Sequence, residues 1–282
     1  MKKAILYSTL LSLFMALGCN KEPIEFVHPM DGIVIEDTSG FDRAFLIEPF
    51  TSVSCGACPL AHHEIETIEA AQSDVFHMTH YLYGPLHHPY TQYLIDQVNK
   101  TIYTPLALVH RTNNDGSAVY YGVDRMNEIL EGRRHQEAEL GIEVDMAIEQ
   151  DVIEIDVEMD FSEEILGDNV ALNVILIEKT VVGEGSGYDQ RNYGDNDENH
   201  PYYGQGKYIE GFEHTNVIRQ VITPFDGMEV QLNNNSNVTS LTLSLDNLEG
   251  ELSNYALVVF VTENAKIGSP ILNVSHADLA VL

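Results

Sequence analysis

The chain has 282 residues, 44% of them hydrophobic and 21% charged, which is room for two ordinary domains or one large one and too apolar for a disordered chain. Acidic residues number 44 against 14 basic ones, a formal net charge of −30. A surface this negative repels phosphate backbones, which argues against nucleic acid as a partner; a solvated acidic face accounts for most of the charge.

Met1, Lys2 and Lys3 open the chain with positive charge, and an apolar run over 4–17 follows. A membrane-spanning helix needs about 20 apolar residues, so residues 1–18 read as a leader rather than a span. Ala16-Leu17-Gly18 before Cys19 resembles the bacterial lipoprotein signal, in which the cysteine is lipidated and becomes the mature N-terminus. Lys21 and Glu22 resemble the surface-export signals of Bacteroidetes lipoproteins. The alternative is an ordinary secretory leader whose cysteine is incidental. Without Lys2 and Lys3, 12 basic residues face 44 acidic ones, and the net charge is −32.

Residues 19–42, with Pro23, Pro29, Gly32 and Gly40, read as a linker. A buried strand is expected over 44–50, and the loop 51–54 leads into Cys55. Leu60, Ala61, Ile65, Ile68 and Ala71 recur at helical spacing, with Pro59 near the helix start, where a missing N–H is tolerated. A strand over 75–83, a short helix over 90–99 and a strand over 103–109 follow. Asn113-Asn114-Asp115-Gly116 predicts a hairpin turn with a return strand over 118–121. Val123, Met126, Ile129 and Leu130 mark a closing helix. This order is that of a thioredoxin-like α/β domain over 43–139. From Gly141 the apolar pattern alternates, and β-rich runs recur over 142–146, 152–159, 170–177, 217–222, 241–245, 255–261 and 271–274. They predict an all-β, immunoglobulin-like sandwich domain over 140–282. The loop over 183–206 is long and rich in Gly, Asp, Asn and Tyr, a length uncommon unless the loop is functional or mobile.

With Cys19 assigned to lipid, Cys55 and Cys58 have only each other. A CxxC pair closes too small a loop to stabilise a fold much, so exchange chemistry is the better explanation. The attacking species is a thiolate, and a helix N-terminus favours one through its unpaired N–H groups and local dipole. Cys55 is therefore expected to attack, and Cys58 to resolve the mixed disulfide. Pro105 is expected beside them, where thioredoxin-like folds place a cis-proline. No cofactor is called for. Three other readings stand beside this one. The pair is a redox-inert relic on a surface-binding or adhesion module, or it captures zinc or copper with His62, His63, His77, His80, His87 or His88. Asp195-Asn196-Asp197-Glu198-Asn199 starts like a calcium loop but lacks the later Gly and Glu, so a solvated loop is the better reading.

Phe45-Leu46-Ile47-Glu48-Pro49-Phe50-Thr51, followed by Cys55-Gly56-Ala57-Cys58-Pro59-Leu60-Ala61, resembles the outer-membrane-protein-28 family of Bacteroidetes lipoproteins. Pro105 to Arg111 and the segment Phe212-Glu213-His214-Thr215-Asn216-Val217-Ile218-Arg219 resemble that family's recurring segments. The resemblance implies a thioredoxin-like domain followed by a β-sandwich, anchored at the outer membrane, without implying an activity. The partners expected are outer-membrane lipid through Cys19 and envelope protein thiols or disulfides. His214 and Arg219 read better as a structural ion pair than as a ligand site.

Overall fold

The computed structural model describes residues 41–98, 102–111, 123–149, 151–162, 169–230, 236–246 and 248–279. The leader, Cys19, nearly all of the linker, the hairpin at 113–116 and its return strand lie outside them.

The first half runs β1 (Phe45–Thr51), α1 (Cys58–Ala71), β2 (Val75–His77), β3 (His80–Tyr81), α2 (Pro89–Val98), β4 (Leu106–Val109) and α3 (Val123–Glu131). The second runs β5 (Leu140–Glu149), β6 (Val152–Phe161), β7 (Val170–Val181), β8 (Gln190–Arg191), β9 (Tyr208–Ile209), β10 (His214–Val221), β11 (Met228–Val230), β12 (Ser236–Ser244), β13 (Tyr255–Thr262) and β14 (Ile271–Asp278). The described chain is thus mostly β, with few helices and several separate sheets.

β1 is central to the first sheet, with β2 and β3 parallel along one side and β4 antiparallel on the other. Its first six residues are all buried because both faces are covered. Phe45 and Ile47 meet Ile65 and Ile68 of α1 and Met126 and Leu130 of α3. Leu46 and Phe50 point the other way, into a core shared with Tyr90 and Leu94 of α2 and with the second half.

That shared core explains β7. Residues 170–177 are buried without alternation, which a strand covered on one face would not show. β7 lies inside a five-stranded sheet of order β10-β7-β13-β14, with β11 also pairing to it. Val170, Leu172, Val174 and Leu176 pack on Ile153, Ile155, Val157 and Met159 of the three-stranded sheet β12-β6-β5. Ile175 and Ile177, with Val258 and Phe260 of β13, pack on Leu46, Phe50 and Met78. β6, by contrast, alternates strictly, and its outward positions are acidic. There Glu143 stands opposite Glu158, and Asp145 opposite Asp156, a like-charge arrangement tolerable only in water.

One expected strand is divided. The run over 75–83 forms β2 and β3 with a break at Met78 and Thr79. The N–H of Met78 still donates to the Ile47 carbonyl, 3.0 Å away, but that of Thr79 donates to the Asn216 carbonyl at 2.8 Å. Thr79 also bridges in parallel to Val217. The chain leaves β1 for one residue to take hold of β10, a competition invisible in local sequence.

Candidate functional site

β1 carries the chain to the cysteines. The N–H of Cys55 donates to the Ser52 carbonyl at 3.0 Å, and that of Cys58 to the Cys55 carbonyl at 3.2 Å, a tight turn that opens directly into α1. Pro59 sits in the first turn, where its missing N–H leaves no bond unmade. Cys55 and Cys58 are disulfide-bonded. They are not equivalent: Cys55 is half-buried, while Cys58 is only 3% exposed. Across from them the Thr104–Pro105 peptide bond is cis. Pro105, Cys58, His62, Thr79, Pro49 and Phe50 are among the residues lining one small pocket. The three residues expected to form a site are therefore brought to one place.

The long loop after β7 joins them. Gln190 is buried, and its Nε2 donates to the Cys55 carbonyl at 2.9 Å, with the Ser52 and Val53 carbonyls each at 3.3 Å. The N–H of Arg191 donates to the Val53 carbonyl, and that of Tyr193 to the Gly56 carbonyl, both at 2.8 Å. The Tyr193 ring lies flat against Gly56: a Cβ there would sit 2.4 Å from it, so only glycine fits. Arg191 stacks over the Tyr193 ring at 4.9 Å. Asn192 ties the loop to itself through the Tyr202 and Gly206 carbonyls. Asp195 and Asp197, the calcium-like residues, accept from the N–H groups of Gly206 and Asn199 and so cap the loop's own turns.

β1 also carries one half of a buried charge pair. Glu48 of β1 accepts from Nε and Nη2 of Arg111, both at 2.7 Å. Arg111 also donates to the Tyr90 hydroxyl at 2.8 Å and lies 4.9 Å over the Phe260 ring. Burial alone would raise the Glu48 carboxyl; the Arg111 charge and hydrogen bonds outweigh it and hold the group at about 2. His80, 3.2 Å from Glu48, is held neutral because burial pulls its pKa down more than Glu48 lifts it. Neither Glu48 nor Arg111 stands out in the sequence as a site residue; the readable signal is an acid amid the apolar run Phe45-Leu46-Ile47-Glu48-Pro49-Phe50.

Of the histidines considered for metal capture, His62 lines the pocket with Cys58, while others are held elsewhere. His77 bonds Glu69 at 2.6 Å, His80 bonds Glu48, His87 bonds the Tyr81 carbonyl at 2.8 Å, and His63 touches the Tyr202 ring. Among the described residues no three His, Cys, Asp or Glu side chains converge on a metal position. His214 and Arg219 do not pair with each other. Arg219 bonds Glu178 at 2.6 Å, while His214 sits between the Tyr81 hydroxyl and the Tyr188 carbonyl, both at 2.8 Å. The structural reading holds for each separately.

HBP35 of Porphyromonas gingivalis superposes with a TM-score of 0.67 at 16% identity, over 86% of this chain and 77% of its own. Protein AGR_C_4864 of Agrobacterium tumefaciens gives 0.53 at 14% identity, over 83% of this chain and 93% of its own. These likenesses concern the fold alone. A domain of the outer membrane lipoprotein Omp28 of Porphyromonas gingivalis aligns at 17% identity over 50% of this chain and 88% of its own, at a TM-score of 0.31 too low to carry a fold argument. No curated protein matches the chain. The family of outer membrane protein Omp28 matches residues 95–281, a stretch that contains Pro105, the clamping loop and β10 but begins after Cys55 and Cys58. The chain belongs to the Omp28 family of outer membrane proteins.

Proposed function

We propose that this outer membrane protein is anchored by a lipid on Cys19, after removal of residues 1–18, and exchanges disulfides with envelope proteins through Cys55 and Cys58. Residues 43–139 supply the thioredoxin-like part and 140–282 the immunoglobulin-like β-sandwich part. The observation that carries the reading is the asymmetry of the pair: Cys55 half-exposed just before a helix start, Cys58 buried in its first turn, and Pro105 in the pocket with Cys58. In the reduced protein the Cys55 thiolate attacks a partner disulfide, releasing one partner thiol and leaving a mixed disulfide. Cys58 then displaces the second partner thiol and closes the bond now seen. The same steps reversed oxidise a partner dithiol. Pro105 shapes the approach of the partner backbone, and no cofactor is needed.

The division of labour is testable with glutathione disulfide. The Cys58→Ser protein should accumulate a stable glutathione adduct on Cys55, about ten-fold faster than the Cys55→Ser protein accumulates one on Cys58. Equal rates would contradict it.

A second reading is favoured by the clamp itself. A loop bearing Tyr193, 65% exposed, and Tyr203, 50% exposed, beside a closed disulfide suits a binding surface whose cysteines are only a staple. On that reading both serine variants keep the full partner affinity.

A further inference from the structure

Resolution of the mixed disulfide needs the Cys58 thiol to lose its proton in a buried place, where burial opposes the thiolate. We infer that His62 is the group that accepts this proton, with Glu66 and the Thr215–His77–Glu69 chain holding it in the accepting tautomer; the inference rests on the exchange chemistry proposed above. Cys58, His62 and Glu66 succeed one another at four-residue spacing and share one face of α1. Cys58 and His62 line the same pocket, and no other lining residue there is an acid or a base.

The hydrogen bonds fix which His62 nitrogen is available. Nδ1 of His77 lies 2.6 Å from Glu69 and 3.1 Å from Nδ2 of Asn216; the nearer, ionised Glu69 is the acceptor, so Nδ1 carries the proton and Nε2 of His77 accepts. The Thr215 hydroxyl, 3.1 Å away, donates to that Nε2. Its oxygen is then free to accept from Nε2 of His62, also at 3.1 Å. His62 is therefore protonated at Nε2 and leaves Nδ1 as the basic atom. Once Nδ1 takes a proton, the Glu66 carboxylate, 3.4 Å from Nε2, steadies the imidazolium. The other titratable groups facing His62 are His77, its ring 6.2 Å away on β2, and His214 on β10, whose charge interacts with it.

Glu48 does not fill this role. Its oxygens are taken by Arg111 and His80, and protonating it would strand a buried arginine. The balanced step is therefore local. The Cys58 S–H proton passes to Nδ1 of His62, the thiolate attacks Sγ of Cys55, the Cys55–Cys58 bond forms as the Cys55–partner bond breaks, and the departing partner thiolate takes up the proton. The two protein thiols are oxidised and the partner disulfide is reduced.

The test uses the reduced full chain in detergent and dithiodipyridine as the probe. Attack by Cys55 releases one chromophore, and resolution by Cys58 releases the second. In His62→Gln the second phase should slow about ten-fold near pH 7, with its pH midpoint moving up towards an ordinary thiol, while the first phase stays within about two-fold. In Glu66→Gln the second phase should slow as well, because the imidazolium loses its counter-charge; a purely structural role would leave the rate and pH profile of that phase unchanged in His62→Gln. A second phase with unchanged rate and pH profile in both variants overturns the inference and leaves the exchange reading standing. An absent first phase in the parent protein overturns both.

Discussion

Replacing Arg111 by methionine is expected to destabilise the chain by about 3–5 kcal/mol, read as a shift of the urea midpoint, because it leaves Glu48 buried and unpaired. Arg111 and Glu48 are both fully enclosed, and the pair is bidentate. Removing one partner alone incurs the desolvation of the other with nothing to offset it. The double variant Glu48→Leu, Arg111→Met should recover more than half of the loss, since the pair itself is worth little against well-packed apolar side chains. A double variant as unstable as the single would show that the tie to Tyr90 and Phe260 matters more than the charge.

The same pair sets an acid window. A folded value of about 2 against an ordinary 4.5 means that the unfolded chain binds the proton first as pH falls. The stabilisation is complete above pH 4.5 and is lost between 4.5 and about 2, amounting to roughly 3 kcal/mol. His88 and His214, each drawn down by burial to about 4, and His110, to about 3, act in the same direction. They are neutral when folded and take protons on unfolding, so their contribution is complete above 6.5 and fades as pH falls from there. Stability should therefore begin to fall below pH 6.5, with Glu48 adding its share between 4.5 and about 2. In the Arg111→Met protein the Glu48 share of that fall should vanish, while the histidine share remains.

Asn273→Ala is the other substitution with a large expected effect, about 3 kcal/mol. Asn273 is 3% exposed and uses its whole amide. Oδ1 accepts from the N–H groups of Ala44 and Val274, both at 3.0 Å, and Nδ2 donates to the carbonyls of Asp42 at 2.9 Å and Leu140 at 2.8 Å. One side chain thus fastens the entry to β1 and the start of β5 to β14. Alanine orphans several backbone groups at once, and Asn273→Asp, nearly the same shape, fails for the same reason because it cannot donate. Thermal melting that leaves either variant within about 1 kcal/mol of the parent would show that water replaces those bonds.

Much of the element order can be read from residue pattern, because apolar spacing reports burial directly. The acid–apolar alternation of β6 and the Ile65–Ile68 spacing of α1 are local signals with local causes. What sequence conceals is pairing between distant segments. The break at Met78–Thr79 arises from a bond to Asn216, and the unalternating β7 is buried on one face by β6 and on the other by Leu46, Phe50 and Met78 of the first half. At the site, Cys55, Cys58 and Pro105 were legible from the CxxC spacing and an X–Pro at a strand start. Gln190, Arg191 and Tyr193 were not: a loop's length hints at use, but nothing in it names the turn it grips. Glu48 and Arg111 are ordinary letters 63 positions apart until the fold brings them together. His62 is one histidine among several in the sequence, because its distant partners come from two other elements, β2 and β10.

The central claim is that Cys55 and Cys58 form a working redox pair, and their equilibrium in graded glutathione buffers, followed by thiol alkylation, tests it most directly. A reversible two-electron transition is expected, in which opened Cys55 alkylates faster than an ordinary thiol and Cys58 lags behind it. A pair that never reopens, or two thiols that alkylate at the same ordinary rate, would contradict it and leave the surface-binding reading.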